Sequence, residues 1–358
     1  MRFTRDDIAP MALGAAVFGA GGGGDSFLTE GMLDAVIKEH GPIEIIPVDA
    51  IADDAPVAPV ALMGAPHIVS EMLIGRPMLT AAIERSAAGQ GAPAALVPIE
   101  MGGMNALVPL IAAGLLGLPC ADADFTGRGV PTLDMTSFLL DRRYPEVQVL
   151  ADPLGRSIRL ETSEGFSAEL LLRPLVEMMD SLAAYTTFPL HGRDLRERAL
   201  DGTVSRCLEV GRVFQQLPEH DTVGAERLLA GLGGARIATG AVIERLSLPD
   251  SASVRVAITL ESTDDPERFT RIDLGAEFHV VSRDGEILAT VPDLIVVVDA
   301  ETWIPLTVEQ IGLGQRVTVL ALPAHPRWRT ARGIEIVGPR AFGYATDFVP
   351  FESTGVLR

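Results

Sequence analysis

The spacing of apolar residues changes around Gly165, and this change constrains the fold more than any single motif. Before Gly165, short apolar segments bounded by Gly, Pro or Asp alternate with segments whose apolar residues recur every three or four positions. This order predicts β-α-β units, and hence a mostly parallel sheet covered by helices. The predicted strands are Ile43–Val48, Val60–Ala65, Ala94–Ile99 and Pro119–Asp124.

After Gly165 the predicted elements are first helical and then mostly extended. Helices are predicted over residues 166–185 and from Asp201 to about Gln216. From Ala235 onward, strand-like segments separated by turns continue to "GIEIVGP" at residues 333–339. The dipeptide Asp284-Gly285 lies between two of them and is a strong hairpin signal. We therefore expect two domains, residues 1–165 and 166–358, the second a barrel or a sandwich introduced by helices.

Composition limits the class of protein. The chain has 358 residues, of which 47% are hydrophobic, which is ample for a large core. Acidic residues outnumber basic ones 48 to 29, and the net charge of −19 disfavours nucleic acid and anionic membranes as partners. The two cysteines, Cys120 and Cys207, are too few for a disulfide framework or a cysteine-based zinc site. These features fit a protein of the reducing cytoplasm.

Neither a signal peptide nor a membrane helix is expected. Asp6 and Asp7 interrupt the N-terminal segment, and no small-residue cleavage site follows its apolar run. The longest apolar stretch, residues 106–121, is shorter than a bilayer-spanning helix and contains Pro109 and Pro119. It reads as a buried helix that runs into a strand.

A run of glycines matches the dinucleotide-binding fingerprint only in part. Gly19, Gly21 and Gly24 satisfy G-x-G-x-x-G, but that fingerprint requires a strand before the first glycine. Here the preceding apolar residues, among them Ile8 and Met11, recur with a helical period. We therefore expect no NAD, and an NAD-dependent oxidoreductase is the least favoured function.

Two interpretations of the glycines remain open. The glycines could end the first helix and allow close packing, since glycine adopts backbone conformations that other residues avoid. Alternatively, the bare backbone of Gly22, Gly23 and Gly24 beside a helix N-terminus could bind an anionic or carbonyl oxygen, with Asp25 projecting into the site. Asp25 could equally cap the helix that follows.

Acidic residues also follow predicted strands in two later segments. Glu100 ends one strand and precedes Gly102, Gly103 and Asn105 at the start of a helix. Ligands gather at such strand ends in open α/β sheets, so these loops are candidates for substrate binding and for a carboxylate general base.

The second segment, "ADADFTGR", holds Asp122 and Asp124, which share one face of an extended chain, and Arg128. Its carboxylates could bind a divalent cation, or could act as a base near a cation that stabilises negative charge. The alternative is that the aspartates cap helices and that Arg128 neutralises them.

Histidines supply weaker candidates. His67 and Glu71 are four residues apart, a spacing compatible with metal ligands on one helix face, and together with Asp124 they could hold zinc, manganese or magnesium. A lone histidine is more often structural. The segment "PAHPRWR", with His325, Trp328 and Arg329, fits a surface loop better than the wall of a cleft.

The ordered motifs together resemble one family, named for S-methyl-thiohydantoin desulfurase. They are "GAGGGGDSF", "GAPHIVSE", "PIEMGGMNALVPL", "GLPCADADFTGRGVPTLDM", "TVPDLIVVVDAET", "GLGQRVTVLALPA" and "GIEIVGPRAFGYATDFVP". The resemblance covers nearly the whole chain. It implies an N-terminal Rossmann-like α/β domain without nucleotide function and a C-terminal β-barrel-like domain.

The resemblance also implies, for some members of the family, hydrolysis of an S-methylated thiohydantoin ring to the hydantoin with loss of methanethiol, and a wider association with hydantoinase-type enzymes. The family's patterns fall on Gly21–Gly24 with Asp25, on Glu100, Gly102, Gly103 and Asn105, and on Asp122, Asp124, Gly127 and Arg128. In this chemistry Asp25, Glu100 or Asp124 would serve as the base, and Arg128 would hold a substrate carboxylate.

The chain departs from the family pattern at two positions. Thr132 follows Pro131 where the family commonly has glutamate, and Met72 stands where a lysine is expected. Either change points to a different substrate or to lost activity.

The polar loops and the resemblance together favour a hydrolase of a small hydantoin-like ring as the leading function. The alternative is a non-catalytic partner of a hydantoinase-type protein. The protein is expected to be a homo-oligomer.

Overall fold

The computed structural model describes residues 1–64, 74–87, 91–143, 145–162, 167–188, 190–219, 221–249 and 254–354. Within these ranges the helices are α1 (Ile8–Gly19), α2 (Phe27–His40), α3 (Arg76–Ser86), α4 (Val108–Leu116), α5 (Glu169–Met178), α6 (Gly192–Arg198), α7 (Thr203–Phe214), α8 (Thr222–Gly231) and α9 (Ala331–Val337).

The glycine run follows a helix, as its periodicity predicts. Helix α1 begins after a short 3₁₀ turn whose capping box pairs Thr4 with Asp7, and it ends at Ala20, which has a left-handed φ of 48°. The next helix begins at Phe27. The element order is therefore helix, glycine turn, helix.

The first sheet is mixed. Its strands lie in the order β1 (Arg2–Phe3), β2 (Ile43–Ile46), β5 (Cys120–Ala121), β4 (Ala95–Pro98), β3 (Pro56–Gly64), β9 (Leu182–Phe188), β7 (Val147–Ala151) and β8 (Ser157–Glu161), with β10 (Leu190–His191) beside β3. The pairs β2–β5, β5–β4 and β4–β3 are parallel, and the remaining pairs are antiparallel. The predicted α/β architecture is confirmed as a mixed α/β fold, whereas the finer Rossmann-like assignment stays a prediction. The prediction of a mostly parallel sheet is wrong, because β1 and the strands from β7 to β10 add antiparallel pairs on both sides of the parallel centre.

Strands β9 and β10 belong to the first sheet although they follow residue 165. The helix predicted over 166–185 is correspondingly too long, because α5 ends at Met178. Asp180 and Ser181 then adopt positive φ, which reverses the chain into β9. Tertiary pairing with β3 and β7 overrides the helical pattern of these apolar residues.

The second sheet has seven antiparallel strands and is curled like half a barrel. In sheet order they are β16 (Glu286–Thr290), β15 (Phe278–Arg283), β14 (Phe269–Leu274), β13 (Val254–Ser262), β12 (Ala235–Pro249), β18 (Arg316–Leu322) and β17 (Leu294–Asp299). Asp284 and Gly285 form the predicted turn between β15 and β16, both with positive φ. A separate short pair joins β6 (Ala123–Asp124) to β11 (Leu200–Asp201).

The strand predicted at "GIEIVGP" is wrong, since residues 331–337 form α9. The Thr330 hydroxyl caps this helix by accepting the N–H of Gly333, and Gly338 ends it. A Cβ on Gly333 would lie 2.5 Å from the carbonyl oxygen of Arg327, so the close approach of the 3₁₀ turn at 326–329 also fixes the segment.

That neighbouring 3₁₀ turn is not a surface loop, contrary to the prediction for "PAHPRWR". Trp328 is fully buried, and its indole N–H donates to the carbonyl of Thr126. Arg329 pairs with the buried Asp293. The segment therefore joins the C-terminal region to the loop that follows β6.

No helix within the described ranges is long and apolar enough to cross a membrane. The apolar stretch at 106–121 divides into the end of a 3₁₀ turn, α4 and β5, as its prolines predict.

Candidate functional site

A cleft of about 320 Å³ lies where the loops of the first sheet meet the second sheet. From the first sheet it is lined by Gly22–Gly24, by Glu100 and Asn105, and by Thr126 and Val130–Leu133. From the second it is lined by Ala276, Glu277 and Glu309. The separate glycine-rich and acidic loops that the sequence singles out therefore do converge.

Backbone-to-backbone packing brings these loops together. The N–H of Met104 donates to the carbonyl of Gly23 at 3.0 Å. A Cβ on Gly103, whose φ is +52°, would lie 2.2 Å from that same oxygen, and one on Gly129 would lie 2.6 Å from the oxygen of Gly19. Close packing thus explains Gly19, Gly23, Gly103 and Gly129, because no side chain fits at these crossings.

The glycine run also contacts the second sheet. Phe278 and Val308 donate their N–H groups to the carbonyls of Ala20 and Gly21. A Cβ on Gly22 would lie 3.0 Å from Oε1 of Glu277. The backbone of the run therefore forms one wall of the cleft beside a carboxylate from the other sheet. The packing interpretation accounts for the crossings above, and oxygen binding by the glycine backbone stays a prediction.

Glu100 is the predicted carboxylate that lines the cleft. It follows β4, is partly buried, and accepts the N–H of Val130 on Oε1 at 3.0 Å and the amide of Asn105 on Oε2 at 2.6 Å. Burial, together with the negative charges of Glu277 and Asp124, raises the pKa of Glu100 to about 7 against the two hydrogen bonds, which lower it. Glu100 can therefore exchange a proton near neutral pH.

Asn105 holds Glu100 in place against β3. Its Oδ1 accepts the N–H of Leu62 at 2.7 Å, and its Nδ2 donates to the carbonyl of Leu62 at 3.2 Å as well as to Glu100. Because both ends of the amide are fixed by one residue of a strand, the donor to Glu100 has a single orientation. Asn105 lines the cleft as predicted. Gly102 and Gly103 are not among the lining residues, and they hold the loop in place by packing against Gly129 and Gly23.

The three predicted aspartates lie outside the cleft lining. Asp25 is exposed and accepts the N–H of Phe27 at the start of α2. Asp122 accepts the N–H and the hydroxyl of Ser205 in the first turn of α7. Asp122 thus satisfies an N–H of the first turn of a helix, as in the capping alternative, whereas Asp25 precedes Ser26, the N-cap residue of α2. A catalytic role for either residue stays a prediction.

Asp124 is fully buried in the turn after β6. Its Oδ2 accepts the N–H and the hydroxyl of Thr126, both at 3.0 Å, and the N–H of Gly127 at 2.7 Å. Burial raises the pKa of Asp124 to about 6, against these hydrogen bonds. The geometry gives Asp124 the function of shaping the loop that carries Thr126 to the cleft, and its predicted catalytic role stays a prediction.

Arg128 is not among the residues that line the cleft. It is buried and donates to the carbonyls of Gly129 and Pro292, which ties the loop to the strand connection before β17. Burial lowers the pKa of the guanidinium, while the negative charges of Glu277 and Asp293 raise it. Arg128 therefore neutralises charge between the sheets, and its predicted contact with a substrate carboxylate stays a prediction.

Three charged residues of the cleft were not predicted, Glu277, Arg173 and the exposed Glu309. Glu277 is only 3% exposed and precedes β15, and Arg173 lies on α5, where it donates to Glu169 and to the carbonyl of Pro131. The one sequence signal for Glu277 is its charge beside the apolar strand "FHVV" in a β-rich region. Arg173 carries no distinguishing signal on its amphipathic helix.

Of the two departures from the family pattern, Thr132 lies within the described residues and Met72 does not. Thr132 lines the cleft, so the missing glutamate concerns the ligand site directly. His67, Glu71 and Met72 lie outside the described residues, and the metal prediction that uses them stays a prediction. Within the described ranges, no group of three or more His, Cys, Asp or Glu side chains is placed to hold a metal ion.

Comparison with known proteins gives two family matches and one fold. Models described as "S-Me-THD-like, N-terminal domain" and "S-Me-THD-like, C-terminal domain" match residues 6–162 and 163–351. A crystal structure of a protein from Chromobacterium violaceum shares the fold with a TM-score of 0.79 at 22% identity, over 98% of this chain and 99% of that one. No curated protein matches the chain. Both domain models together span almost the whole sequence, and the chain therefore belongs to the S-Me-THD-like family.

Proposed function

We propose that this protein hydrolyses the thioether of a small S-methyl-thiohydantoin-like ring, with Glu100 as the general base. The observation that carries the proposal is the state of Glu100 in the cleft, where its pKa is about 7 and two N–H donors fix both of its oxygens. A base whose pKa lies near the working pH is the most effective at taking and returning a proton. Membership of the S-Me-THD-like family supports the substrate class.

The reaction balances with water as the only co-reactant. Water adds to the ring carbon that carries the methylthio group, and one of its protons passes through Glu100 to the ring nitrogen as the C=N bond becomes single. The carbon–sulfur bond then breaks, the hydroxyl proton goes to methanethiolate, and a C=O bond forms. The products are the hydantoin and methanethiol.

The cleft has room and partners for such a ring. Its volume of about 320 Å³ is at the lower end of small-molecule sites, which suits one five-membered ring with a modest substituent. Glu277 offers an acceptor for a ring N–H, and the backbone of Gly23 and Gly24 offers N–H groups for a ring carbonyl. The N–H of Gly22 already donates to the carbonyl of Gly19. Ring binding thereby uses one loop of the first sheet and one of the second.

The test is release of methanethiol and hydantoin from S-methyl-thiohydantoins by the purified full chain, followed by a thiol reagent and by mass spectrometry. Glu100→Gln is expected to lower kcat by about 100-fold or more, since it removes the base. Glu84→Gln is the matched control, because Glu84 is exposed and does not line the cleft. Full turnover by a folded Glu100→Gln variant would overturn the assignment.

A further inference from the structure

A line of three polar side chains runs from the cleft toward the surface through the second sheet. Oε2 of Glu277 lies 3.4 Å from Nε2 of His279, and Nδ1 of His279 lies 3.2 Å from the hydroxyl of Tyr344. Glu277 lines the cleft, His279 is 5% exposed, and Tyr344 is partly exposed. The mechanism above uses only the first of these residues.

The imidazole of His279 is held on its faces as well as at its nitrogens. The ring of Phe342 packs against it with centroids 4.2 Å apart, and Tyr344 meets it edge-on at 5.7 Å. A Cβ on Gly275 would lie 3.0 Å from Cε1 of His279, so a larger residue at position 275 would press on the ring. The imidazole therefore has one orientation.

The partners of the two nitrogens fix the tautomer. An ionised Glu277 only accepts hydrogen bonds, so Nε2 must carry the proton that it receives. A neutral ring then has its lone pair on Nδ1, which accepts the hydroxyl proton of Tyr344. Burial and the positive charges of Arg128 and Arg255 favour the neutral ring, while the Glu277 charge opposes them, and the pKa of His279 is lowered on balance.

We infer that His279 is a positioning residue, which Tyr344 holds as the Nε2–H tautomer so that the Glu277 carboxylate is aimed at the ring N–H of the substrate. The inference rests on the proposed function for its consequence in catalysis. Its structural half, the order of donors along Tyr344, His279 and Glu277, concerns this chain alone and can be measured without substrate.

Long-range ¹H–¹⁵N spectra of the full chain, labelled in its six histidines, test the structural half. We expect one ring to stay neutral with its proton on Nε2 from about pH 5.5 to 8.5, because burial opposes protonation. Its signals are expected to vanish in His279→Gln, which assigns them. In Tyr344→Phe the Nδ1 signal should move, since it loses a donor. A cationic ring or an Nδ1–H tautomer at pH 7 would overturn the inference.

Steady-state kinetics with S-methyl-thiohydantoin test the catalytic half. His279→Leu removes the donor to a charged group and is expected to lower kcat by about 10- to 100-fold. His279→Gln, whose amide can donate from the position of Nε2, should restore kcat to within about threefold of the wild type. His40→Gln is the matched control, because His40 is exposed at the end of α2.

The variants also separate positioning from a merely structural role. If His279→Leu does not fold, Tyr344→Phe is the second variant. It keeps the imidazole of His279, removes the hydroxyl that donates to Nδ1, and is expected to lower kcat by about 3- to 10-fold. Unchanged kcat in folded His279→Leu or Tyr344→Phe would overturn the inference, as would a Gln variant no better than Leu. If the wild type releases no methanethiol while the Nε2–H tautomer is seen, the proposed function fails and the donor order stands.

Discussion

Glu100 and Glu277 line one cleft from two different sheets, and the charge of Glu277 is among the causes that raise the pKa of Glu100. Glu100 follows β4 of the parallel centre of the first sheet, and Glu277 precedes β15 of the antiparallel second sheet. Two carboxylates near one ligand favour a shared proton, since their repulsion is relieved when one of them is neutral.

The rate of thiohydantoin hydrolysis should rise with pH through the pKa of Glu100. A general base works only when ionised, and the pKa of about 7 means that Glu100 is mostly protonated at pH 6 and mostly ionised at pH 8. We expect kcat/KM to reach half its plateau near pH 7 and to level off above about pH 8. A profile that is flat from pH 5.5 to 8.5 would contradict the assignment of Glu100 as the base.

Removing the charge of Glu277 should move that profile. Because the Glu277 charge raises the pKa of Glu100, Glu277→Gln is expected to lower this pKa and to shift the acid limb of kcat/KM to lower pH. The plateau itself should fall, because the acceptor for the ring N–H is lost. Glu309→Gln is the matched control, because Glu309 lines the same cleft but is exposed. The acid limb of kcat/KM in this variant should lie at the same pH as in the wild type.

Much of the fold could be predicted because local pattern and tertiary packing agree there. The strands predicted from Ile43, Val60, Ala94 and Pro119 all contain strand residues in the structure, and the helix before the glycine run is present. The errors at residues 182–185 and 333–337 have different causes. Pairing with β3 and β7 outweighs a helical pattern at 182–185, whereas the Thr330 cap and the close contact of Gly333 with the preceding turn make 333–337 helical.

The site could be predicted only on the first sheet. Glu100 and Asn105 stand out because a polar loop follows a buried strand, where ligands gather. The aspartates looked the same in sequence, but their oxygens are taken by backbone N–H groups and hydroxyls of nearby turns. Glu277 could not be found this way, because its place in the cleft depends on how a curled antiparallel sheet packs on the first one.

Asp124→Asn should show that Asp124 acts on stability in a pH-dependent way. Burial raises its folded pKa to about 6 from an ordinary value of 3.8, so the folded state binds more protons than the unfolded state between these values. Its contribution to the free energy of unfolding is therefore greatest at low pH and is lost as pH rises through about 6.

Asparagine has no such titration, so the free energy of unfolding of Asp124→Asn relative to wild type should increase by about 1 to 2 kcal/mol between pH 5 and pH 8. Urea titrations at the two pH values measure this difference. Asp25→Asn is the control, because Asp25 is exposed, and it should change by less than about 0.5 kcal/mol. Equal pH dependence in Asp124→Asn and wild type would contradict the buried, titrating carboxylate.

The crossing of Gly23 and Gly103 should be the point where the cleft tolerates no side chain. Both Gly103 and Gly117 have positive φ, +52° and +65°, but a Cβ on Gly103 would lie 2.2 Å from the oxygen of Gly23, while one on Gly117 would have nothing within 4 Å. Gly117→Ala therefore carries only the backbone strain, about 1 to 2 kcal/mol. Gly103→Ala adds overpacking, for a total of about 2 to 5 kcal/mol. Chemical denaturation of the two variants measures the difference between their losses of stability, which is the effect of the contact between Gly103 and Gly23.

Because this contact sets the distance between the glycine run and Glu100, a folded Gly103→Ala protein should also lose most of its hydrolysis of S-methyl-thiohydantoin, whereas Gly117→Ala should keep it. Equal loss of stability in the two variants would mean that the loops do not meet at this crossing.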